Sequence, residues 1–375
     1  MLDCFEIDGL ALNQIKQRLI MLLFTGFWFV ATNLQASVVE DLYTIELAVA
    51  DQTTSQRLAI FEQAFRDVIV KVSGSTDVLN HAGMSRPLKS SARYVHQFRY
   101  ITRKTESEEG FEDGQLFLRV TFNQDAIENL LRSNDIAVWG KERPSTLLLI
   151  SYQLNKNTSI VSADTTPDIV RELELLSQKQ GLPVLFPLLD LEDRQLFGVQ
   201  DIVDSRQQNI NMAAARYLPD ATLVGQISGI AGKGWKGQWQ LSFSDKMYKW
   251  SYSDASREGL LSQAVSQLAQ TLAQEYALES VSSSNEEILF TVDQMTQLRD
   301  HIKVLSYLQS LDAVESVRPV LISQDSVTYR MKLRNSTEDL SRLIALSYVL
   351  EQLDLPQINA ATDDQAIIMN YRFVH

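Results

Sequence analysis

The chain has 375 residues and a formal net charge of -13, with 45% hydrophobic and 22% charged residues. The length exceeds one typical hydrophobic core, so the sequence predicts two or three domains of ordinary globular composition. The acidic balance excludes a general nucleic-acid binder, because neutralising phosphates requires clustered Lys and Arg, and it opposes tight adsorption to an anionic membrane.

Residues 1–36 have the pattern of a secretory signal peptide. Lys16 and Arg18 precede an apolar run over residues 19–32, and Ala36 stands before a polar stretch. This order of basic, apolar and small residues is typical of a signal that is cleaved, here after Ala36. The alternative is an inner-membrane anchor formed by residues 19–32, but the run is shorter than the roughly 20 residues of a spanning helix. We expect export to a bacterial periplasm.

Signal cleavage would remove Cys4, which is the only cysteine. The mature chain would then have no disulfide, no thiol nucleophile and no thiolate metal site. The four histidines are scattered, and no HExxH, paired-cysteine or GxSxG spacing occurs. The sequence therefore predicts no cofactor and no motif-based metal site, and it favours a protein that is not an enzyme.

The first predicted domain, residues 37–143, is α+β. The stretch VEDLYTIELAV is typical of a strand, and apolar residues spaced by three and four between Leu58 and Val72 predict a helix. Two alternating runs, residues 94–100 and 116–122, predict further strands joined by the exposed hairpin loop TESEEGFEDG. The stretch WGKERP that follows predicts a linker.

The second predicted domain, residues 144–279, is an α/β sandwich with a mixed sheet. TLLLIS is apolar throughout, as expected of a strand that is buried on both faces. A helix that starts at Pro167 and ends at Gly181 leads to the strand VLF. A strand, a helix and a strand within about forty residues predict a crossover between parallel strands.

The third predicted domain, residues 288–375, follows a flexible linker over residues 280–287. Its elements follow the order βαββαβ, which is the ferredoxin-like split unit. The apolar residues of its first helix are Met295, Leu298, Ile302, Leu305 and Leu308. This fold is a frequent docking module, although a fold alone does not define a function.

One stretch of the second domain, LPVLFPLLDLED, runs from apolar residues into Asp190, Glu192 and Asp193. Ligands of open parallel sheets bind beyond the carboxyl ends of the strands, so these carboxylates are candidates for a cation site or for the acid and base of a hydrolase. No histidine lies nearby. We favour the alternative that the stretch is the exit of a central parallel strand, with carboxylates that cap a helix and face water.

The glycine-rich stretch GIAGKGWKGQW lacks the spacing of a phosphate-binding loop and predicts a hairpin loop instead. Trp239 alternates with other apolar residues and is expected in the core, whereas Trp235 in the loop is free to contact a ligand. Trp235 is therefore the candidate contact of a glycan-binding protein, although a sugar platform needs more than one exposed ring.

Four stretches together resemble the bacterial family called "domain of unknown function 2066". They are DLYTIELAVADQTTSQRLAIFEQAFRDVIVKVSG, YVHQFRY, GLPVLFPLLDLED, and AAARYLPDATLVGQISG with GQWQL. The resemblance spans most of the mature chain, but DIVDS, residues 201–205, stands where the family has a DxWG element. It implies an exported protein of Gram-negative bacteria, with α/β modules like those of envelope accessory proteins. The family has no assigned activity or catalytic residues, so the resemblance implies no catalytic role for any residue of this chain.

Our leading hypothesis is a non-enzymatic periplasmic protein that docks other envelope proteins, with no nucleic-acid partner and no stable membrane span after signal cleavage. The first alternative is a cation-dependent hydrolase that acts at Asp190, Glu192 and Asp193. The second is a glycan-binding protein that uses Trp235.

Overall fold

The computed structural model describes residues 39, 41–103, 106–107, 110–111, 114–230, 233–278, 287–353 and 367–374. The described residues form ten α-helices and three larger sheets, one sheet in each predicted segment, so the chain is a mixed α and β protein. The predicted signal peptide and residues 280–286 of the predicted linker lie outside the described residues. Residues 37–375 group into one compact unit, and the predicted domain boundaries stay predictions.

The N-terminal sheet is antiparallel, with the strand order β1-β5-β2. The strands of this sheet are β1 (Thr44–Ala48), β2 (Val95–Arg103) and β5 (Gln115–Phe122). A separate small hairpin is formed by β3 (Glu106–Ser107) and β4 (Gly110–Phe111). Its helices are α1 (Thr54–Ser73), α2 (Ser85–Lys89) and α3 (Gln124–Arg132). The stretch TESEEGFEDG was predicted as a loop, but β3 and β4 form a short ladder within it.

Local chemistry explains the limits of α1. The Thr53 hydroxyl accepts a hydrogen bond from the N–H of Gln56 and so caps the first turn. Gly74 ends the helix with φ 72°, a left-handed conformation that glycine adopts without steric cost. Phe65 and Val68 are fully buried on the face that packs against the sheet. The predicted helix between Leu58 and Val72 is confirmed.

The central sheet is mixed, with the order β11-β10-β9-β6-β7 and with β8 paired to β6. Its strands are β6 (Thr146–Leu154), β7 (Asn157–Ile160), β8 (Val184–Leu185), β9 (Ala221–Ile230), β10 (Gly234–Phe243) and β11 (Lys246–Asp254). Its helices are α4 (Pro167–Gln180), α5 (Leu191–Leu196), α6 (Val199–Val203), α7 (Gln207–Tyr217) and α8 (Arg257–Tyr276). The strands β8 and β9 both run parallel to β6, as the predicted crossover requires.

Strand β6 is buried on both faces, as predicted. Leu148 and Ile150 pack into the core that α4 and α8 cover, whereas Leu147 and Leu149 pack into a second core with α6 and α7. Successive side chains of a strand point to opposite faces, so an entirely apolar strand serves both layers.

The prediction that LPVLFPLLDLED contains a central strand is wrong. Only Val184–Leu185 pair with β6, and they do so on the side away from β9, at the edge of the sheet. Pro183 and Pro187 flank this pair, and proline cannot donate a main-chain hydrogen bond to a ladder. Leu188 and Leu191 beyond it are 63% and 75% exposed.

The C-terminal sheet has five strands in the order β13-β14-β12-β16-β15. They are β12 (Glu287–Asp293), β13 (Val314–Ile322), β14 (Ser326–Leu333), β15 (Leu350–Gln352) and β16 (Ile367–Phe373), with helices α9 (Leu298–Ser310) and α10 (Thr337–Ala345). The short strand β15 has no place in the predicted βαββαβ order. It pairs antiparallel with β16, and β16 runs parallel to β12. The ferredoxin-like module is therefore not confirmed.

The predicted linker WGKERP is a buried joint. Val138, just before it, forms an isolated antiparallel bridge with Leu278 at the end of the second segment. Trp139 is fully buried in the central core. Its main-chain N–H donates a hydrogen bond to the carbonyl oxygen of Val72 at the end of α1. No helix among the described residues is both long and apolar enough to span a bilayer.

Candidate functional site

The structure brings Asp190, Glu192 and Asp193 together at the start of α5. Asp190 is the N-cap, and its carboxylate accepts a hydrogen bond of 3.0 Å from the N–H of Asp193. The Asp193 side chain is fully buried, and its carboxylate accepts a hydrogen bond of 2.8 Å from the N–H of Leu189. The carboxylates of Asp190 and Asp193 therefore have a structural role, because they stabilise the turn that starts α5.

Arg216, near the end of α7, forms ion pairs with all three carboxylates of this acidic cluster. Its guanidinium lies 2.5 and 2.7 Å from the two oxygens of Asp190 and 2.6 Å from Asp193, and its Nε lies 3.4 Å from Glu192. The neighbouring Tyr217 hydroxyl donates to the other oxygen of Asp193 at 2.5 Å. The sequence gives no signal for these contacts, because α7 reaches α5 only in the folded chain.

The electrostatics of the cluster oppose acid–base catalysis by Asp190. The hydrogen bond from Arg216 lowers the pKa of Asp190 to about 2, and burial together with Asp193 raises the pKa of Tyr217 to about 12. A general acid or base works best with a pKa near the operating pH. Among the described residues, no group of three or more His, Cys, Asp or Glu is placed to hold a metal ion. The cation site at these carboxylates remains a prediction. The Arg216 guanidinium lies between them, where the cation would have to bind.

Trp235 lies in β10 and not in a loop, so its predicted setting is wrong. The ring stacks on Tyr152 with 5.6 Å between centroids. A Cβ on the paired Gly229 would come within 2.5 Å of the ring, so this glycine makes room for the stack. Trp235 is half-buried and lines an open surface depression with Glu172 and Arg257. A glycan contact at Trp235 remains a prediction.

An apolar groove lies between α9 and the β13–β14 hairpin of the C-terminal sheet. It has a volume of about 380 Å³. Its walls are formed mainly by apolar side chains together with one histidine, and the lining residues are Leu298, His301, Ile302, Leu305, Pro319, Ile322, Val327 and Tyr329. Leu298 is 76% exposed, Ile302 58% and Ile322 68%. Large aliphatic side chains at this exposure, grouped in one groove, are typical of a binding surface.

The groove exists because α9 has more apolar residues than its core contact needs. Val304 and Leu308 face the core and are fully buried, which leaves Leu298 and Ile302 on the neighbouring face. Leu298, Ile302 and Leu308 belong to the apolar residues from which this helix was predicted, without a distinction between a core face and an exposed face. The missed signal is the width of the apolar arc, which exceeds the stripe of an ordinary surface helix.

A buried polar cluster lies at the joint between the first two sheets. Arg143 is 1% exposed, and its guanidinium lies 4.1 Å above the Trp139 ring. It donates hydrogen bonds of 2.6–3.2 Å to the main-chain oxygens of Lys71, Trp139, Gly140, Gln180 and Gly181. Because these oxygens include the ends of α1 and α4, one cation stabilises the negative ends of two helix dipoles.

Two buried acids accompany this arginine. The Glu142 carboxyl has one buried oxygen without a hydrogen-bond partner among the described residues. Burial and the neighbouring Asp312 raise the pKa of Glu142 to about 7, and burial with Glu128 raises the pKa of Asp312 to about 6. Asp312 comes from the C-terminal segment, so this polar contact joins all three segments.

A family model described as "Domain of unknown function (DUF8605)" matches residues 36–140. This is a different model from family 2066, and membership of that family stays a prediction. No curated protein matches the chain. The chain is similar to the LpoB C-terminal domain from Salmonella enterica, with 14% identity and a TM-score of 0.22 over 34% of this chain and 92% of that one.

A second solved structure, titled "Crystal structure of uncharacterized protein", shares 17% identity with a TM-score of 0.16, over 36% of this chain and 99% of its own. At these scores neither likeness defines the fold or the function of this chain.

Proposed function

We propose that this protein is an exported, non-enzymatic docking protein of the bacterial cell envelope, and that it binds a partner protein through the groove between α9 and the β13–β14 hairpin. Export is supported by the signal-like residues 1–36. Docking is supported by the exposed Leu298, Ile302 and Ile322 around one groove. A non-enzymatic role is supported by the binding of the acidic cluster to Arg216.

The observation that carries the proposal is the exposure of aliphatic side chains in a concave surface. Burying apolar surface gains about 25 cal/mol per Å², so three large side chains removed from water contribute several kcal/mol to an interface. Binding energy concentrates in such central apolar pockets, and the surrounding contacts chiefly exclude water.

The test is a photo-crosslinking amino acid placed at Ile302 of the chain expressed in its own cells. We expect illumination to join it to a discrete envelope protein, because Ile302 lines the groove. The matched control is the same amino acid at Arg330, which is exposed on β14 beside Tyr329 but points to the opposite face of the sheet. Adducts at both positions, or at neither, would count against the proposal.

Export is tested separately by fractionating the same cells. We expect the chain in the periplasmic fraction with a mass that corresponds to the loss of residues 1–36. Recovery of the chain with Cys4 in the membrane fraction would contradict cleavage after Ala36 and favour the anchor.

A further inference from the structure

The strand wall of the groove disfavours an added strand as its occupant. β13 is the edge of the C-terminal sheet, and a free edge usually pairs with another strand. Here Pro319 has no N–H to donate, and the ladder with β14 shifts register between Val314 and Ser316 and again between Pro319 and Leu321. Prolines and bulges of this kind protect an edge from strand addition. This wall therefore offers apolar side chains instead of regular main-chain hydrogen bonds.

The helical wall presents a stripe that fits a second helix. Leu298, Ile302 and Leu305 are spaced by four and three residues, so they follow one line along α9. A stripe with this spacing packs against the stripe of another helix, with the side chains of each between those of the other. A helix satisfies its own main-chain hydrogen bonds, so it needs no donors or acceptors from β13.

The charge beside the stripe indicates the chemistry of the partner. Arg299 and Lys303 are exposed one turn apart on α9, although the whole chain carries a net charge of -13. The Arg299 guanidinium reaches Gln297 at 3.4 Å, and the Lys303 ammonium lies 5.2 Å from the centre of the Phe373 ring. Neither forms an ion pair with a residue in the described part of the chain. Carboxylates on a partner would complement these two cations.

We propose that the occupant of the groove is an amphipathic helix of a partner protein, with large aliphatic residues at three- and four-residue spacing and acidic residues beside Arg299 and Lys303. This inference rests on the proposed docking function and names its partner class. The 13 residues of α9 span about 20 Å at about 1.5 Å per residue, so a partner helix of three to four turns covers the stripe.

The test uses the chain purified from cells and four fluorescent synthetic peptides, with binding measured by fluorescence anisotropy. The first peptide is an amphipathic helix with leucines at three- and four-residue spacing and glutamates on the flank. The second replaces the glutamates with lysines. The third has the first composition in scrambled order, and the fourth alternates leucine and glutamate as a strand would. We expect the first to bind tightest and to become helical on binding.

Substitutions of exposed residues make this test specific to the groove. We expect Ile302→Gln to weaken binding of the acidic helix by about tenfold, as for a central interface residue. The double change Arg299→Glu and Lys303→Glu should reverse the preference between the acidic and the basic helix. The control Arg330→Glu reverses a charge on the opposite sheet face and should leave both affinities unchanged.

The inference is overturned if the strand-patterned or scrambled peptide binds as tightly as the acidic helix, or if the double reversal has no effect. It is also overturned if the chain forms a dimer in solution that Ile302→Gln dissolves, since a second copy then occupies the groove. If Ile302 forms a photo-adduct in cells but the purified chain does not bind the helical peptide, the proposal of a helical partner is rejected and the proposal of a docking function is kept. Absence of both removes both proposals.

Discussion

Arg143 shows why a single side chain decides the stability of the joint. A guanidinium has five N–H donors in a planar group. The guanidinium of Arg143 donates hydrogen bonds to main-chain oxygens on both sides of the joint. The aromatic face of Trp139 covers the same cation. An ammonium group is compact and has three donors, so lysine cannot reproduce this geometry.

We therefore expect Arg143→Lys to lower the free energy of unfolding by about 3 kcal/mol, because each buried carbonyl left without a donor costs about 1–3 kcal/mol. The measurement is urea denaturation followed by circular dichroism. Arg171→Lys is the matched control, since Arg171 is exposed and only meets Asp168 at 3.5 Å. If both variants unfold at the same urea concentration, the role assigned to Arg143 is wrong.

The second expectation for the joint concerns pH. Burial raises the pKa of Glu142 from 4.5 to about 7, so the folded chain binds a proton that the unfolded chain releases. Stability from this group is present at low pH and is lost as the pH rises from about 4.5 through about 7. We expect the melting temperature to fall between pH 5 and pH 8, and Glu142→Gln to reduce that fall and to melt above the unmodified chain at pH 8.

The control for this pH series is Glu174→Gln, which changes an exposed carboxyl on α4. It should keep the pH dependence of the unmodified chain. A fall of equal size in the Glu142→Gln chain would show that other groups, such as the neighbouring Asp312, account for it.

Among the elements, the short helix α5 is stabilised by hydrogen bonds and ion pairs whose donors, Arg216 and Tyr217, lie on another helix. The buried Asp193 carboxylate accepts from the N–H of Leu189, the hydroxyl of Tyr217 and the guanidinium of Arg216. We expect Asp193→Asn to lower the free energy of unfolding by about 2–3 kcal/mol, because an amide turns a donor toward groups that are themselves donors. Thermal unfolding measures this loss.

The control is Glu192→Gln, which should change stability by less than about 0.5 kcal/mol, since exposed ion pairs contribute little. The same melting experiment with Mg²⁺ or Ca²⁺ tests the predicted cation site. We expect no shift, because the Arg216 guanidinium already lies between the three carboxylates, where a cation would have to bind. A rise that Asp190→Asn abolishes would restore the cation site and the hydrolase hypothesis with it.

Elements with a strong local signal could be predicted from the sequence. The helix α1 has a regular apolar spacing with a capping threonine and a terminal glycine, and β6 is apolar on both faces. Strand pairing has no such local signal. The direction of β16 is an example, because nothing in its own residues indicates that it runs parallel to β12 and antiparallel to β15.

The site was predictable only in part, for the same reason. The clustering of Asp190, Glu192 and Asp193 follows from their adjacency, whereas Arg216 lies on another helix more than twenty residues away. The groove was missed because an apolar residue on a helix is normally assigned to the core. Only the packed sheet shows that Leu298 and Ile302 have no core to join.

Across the molecule, the described residues form four hydrophobic cores, and the joint at WGKERP brings close contacts between the three segments. Gly140 is one of them, because a Cβ at this position would overlap the carboxylate of Asp312 from the C-terminal segment. We expect Gly140→Ala to loosen the C-terminal sheet from the other two at a cost of about 1–3 kcal/mol, the usual range for overpacking. A calorimetric scan should then resolve an additional, earlier transition.

Gly198→Ala serves as the control, since a Cβ there would lie 3.8 Å from its nearest neighbour, Asp201. It should leave the scan unchanged. A single, unshifted transition in the Gly140→Ala chain would mean that Asp312 moves aside at little cost and that the contact does not hold the segments together.

The position of Arg143 also has a consequence in time. Its donors bind the last turns of both α1 and α4, so any motion that displaces Arg143 removes the same cation from both helix ends at once. Helix ends normally open independently and exchange their amide hydrogens fast. Because one cation binds both ends, we expect their amides to exchange with deuterium at the same free energy of opening, although the two helices pack on different sheets and the two turns lie about a hundred residues apart.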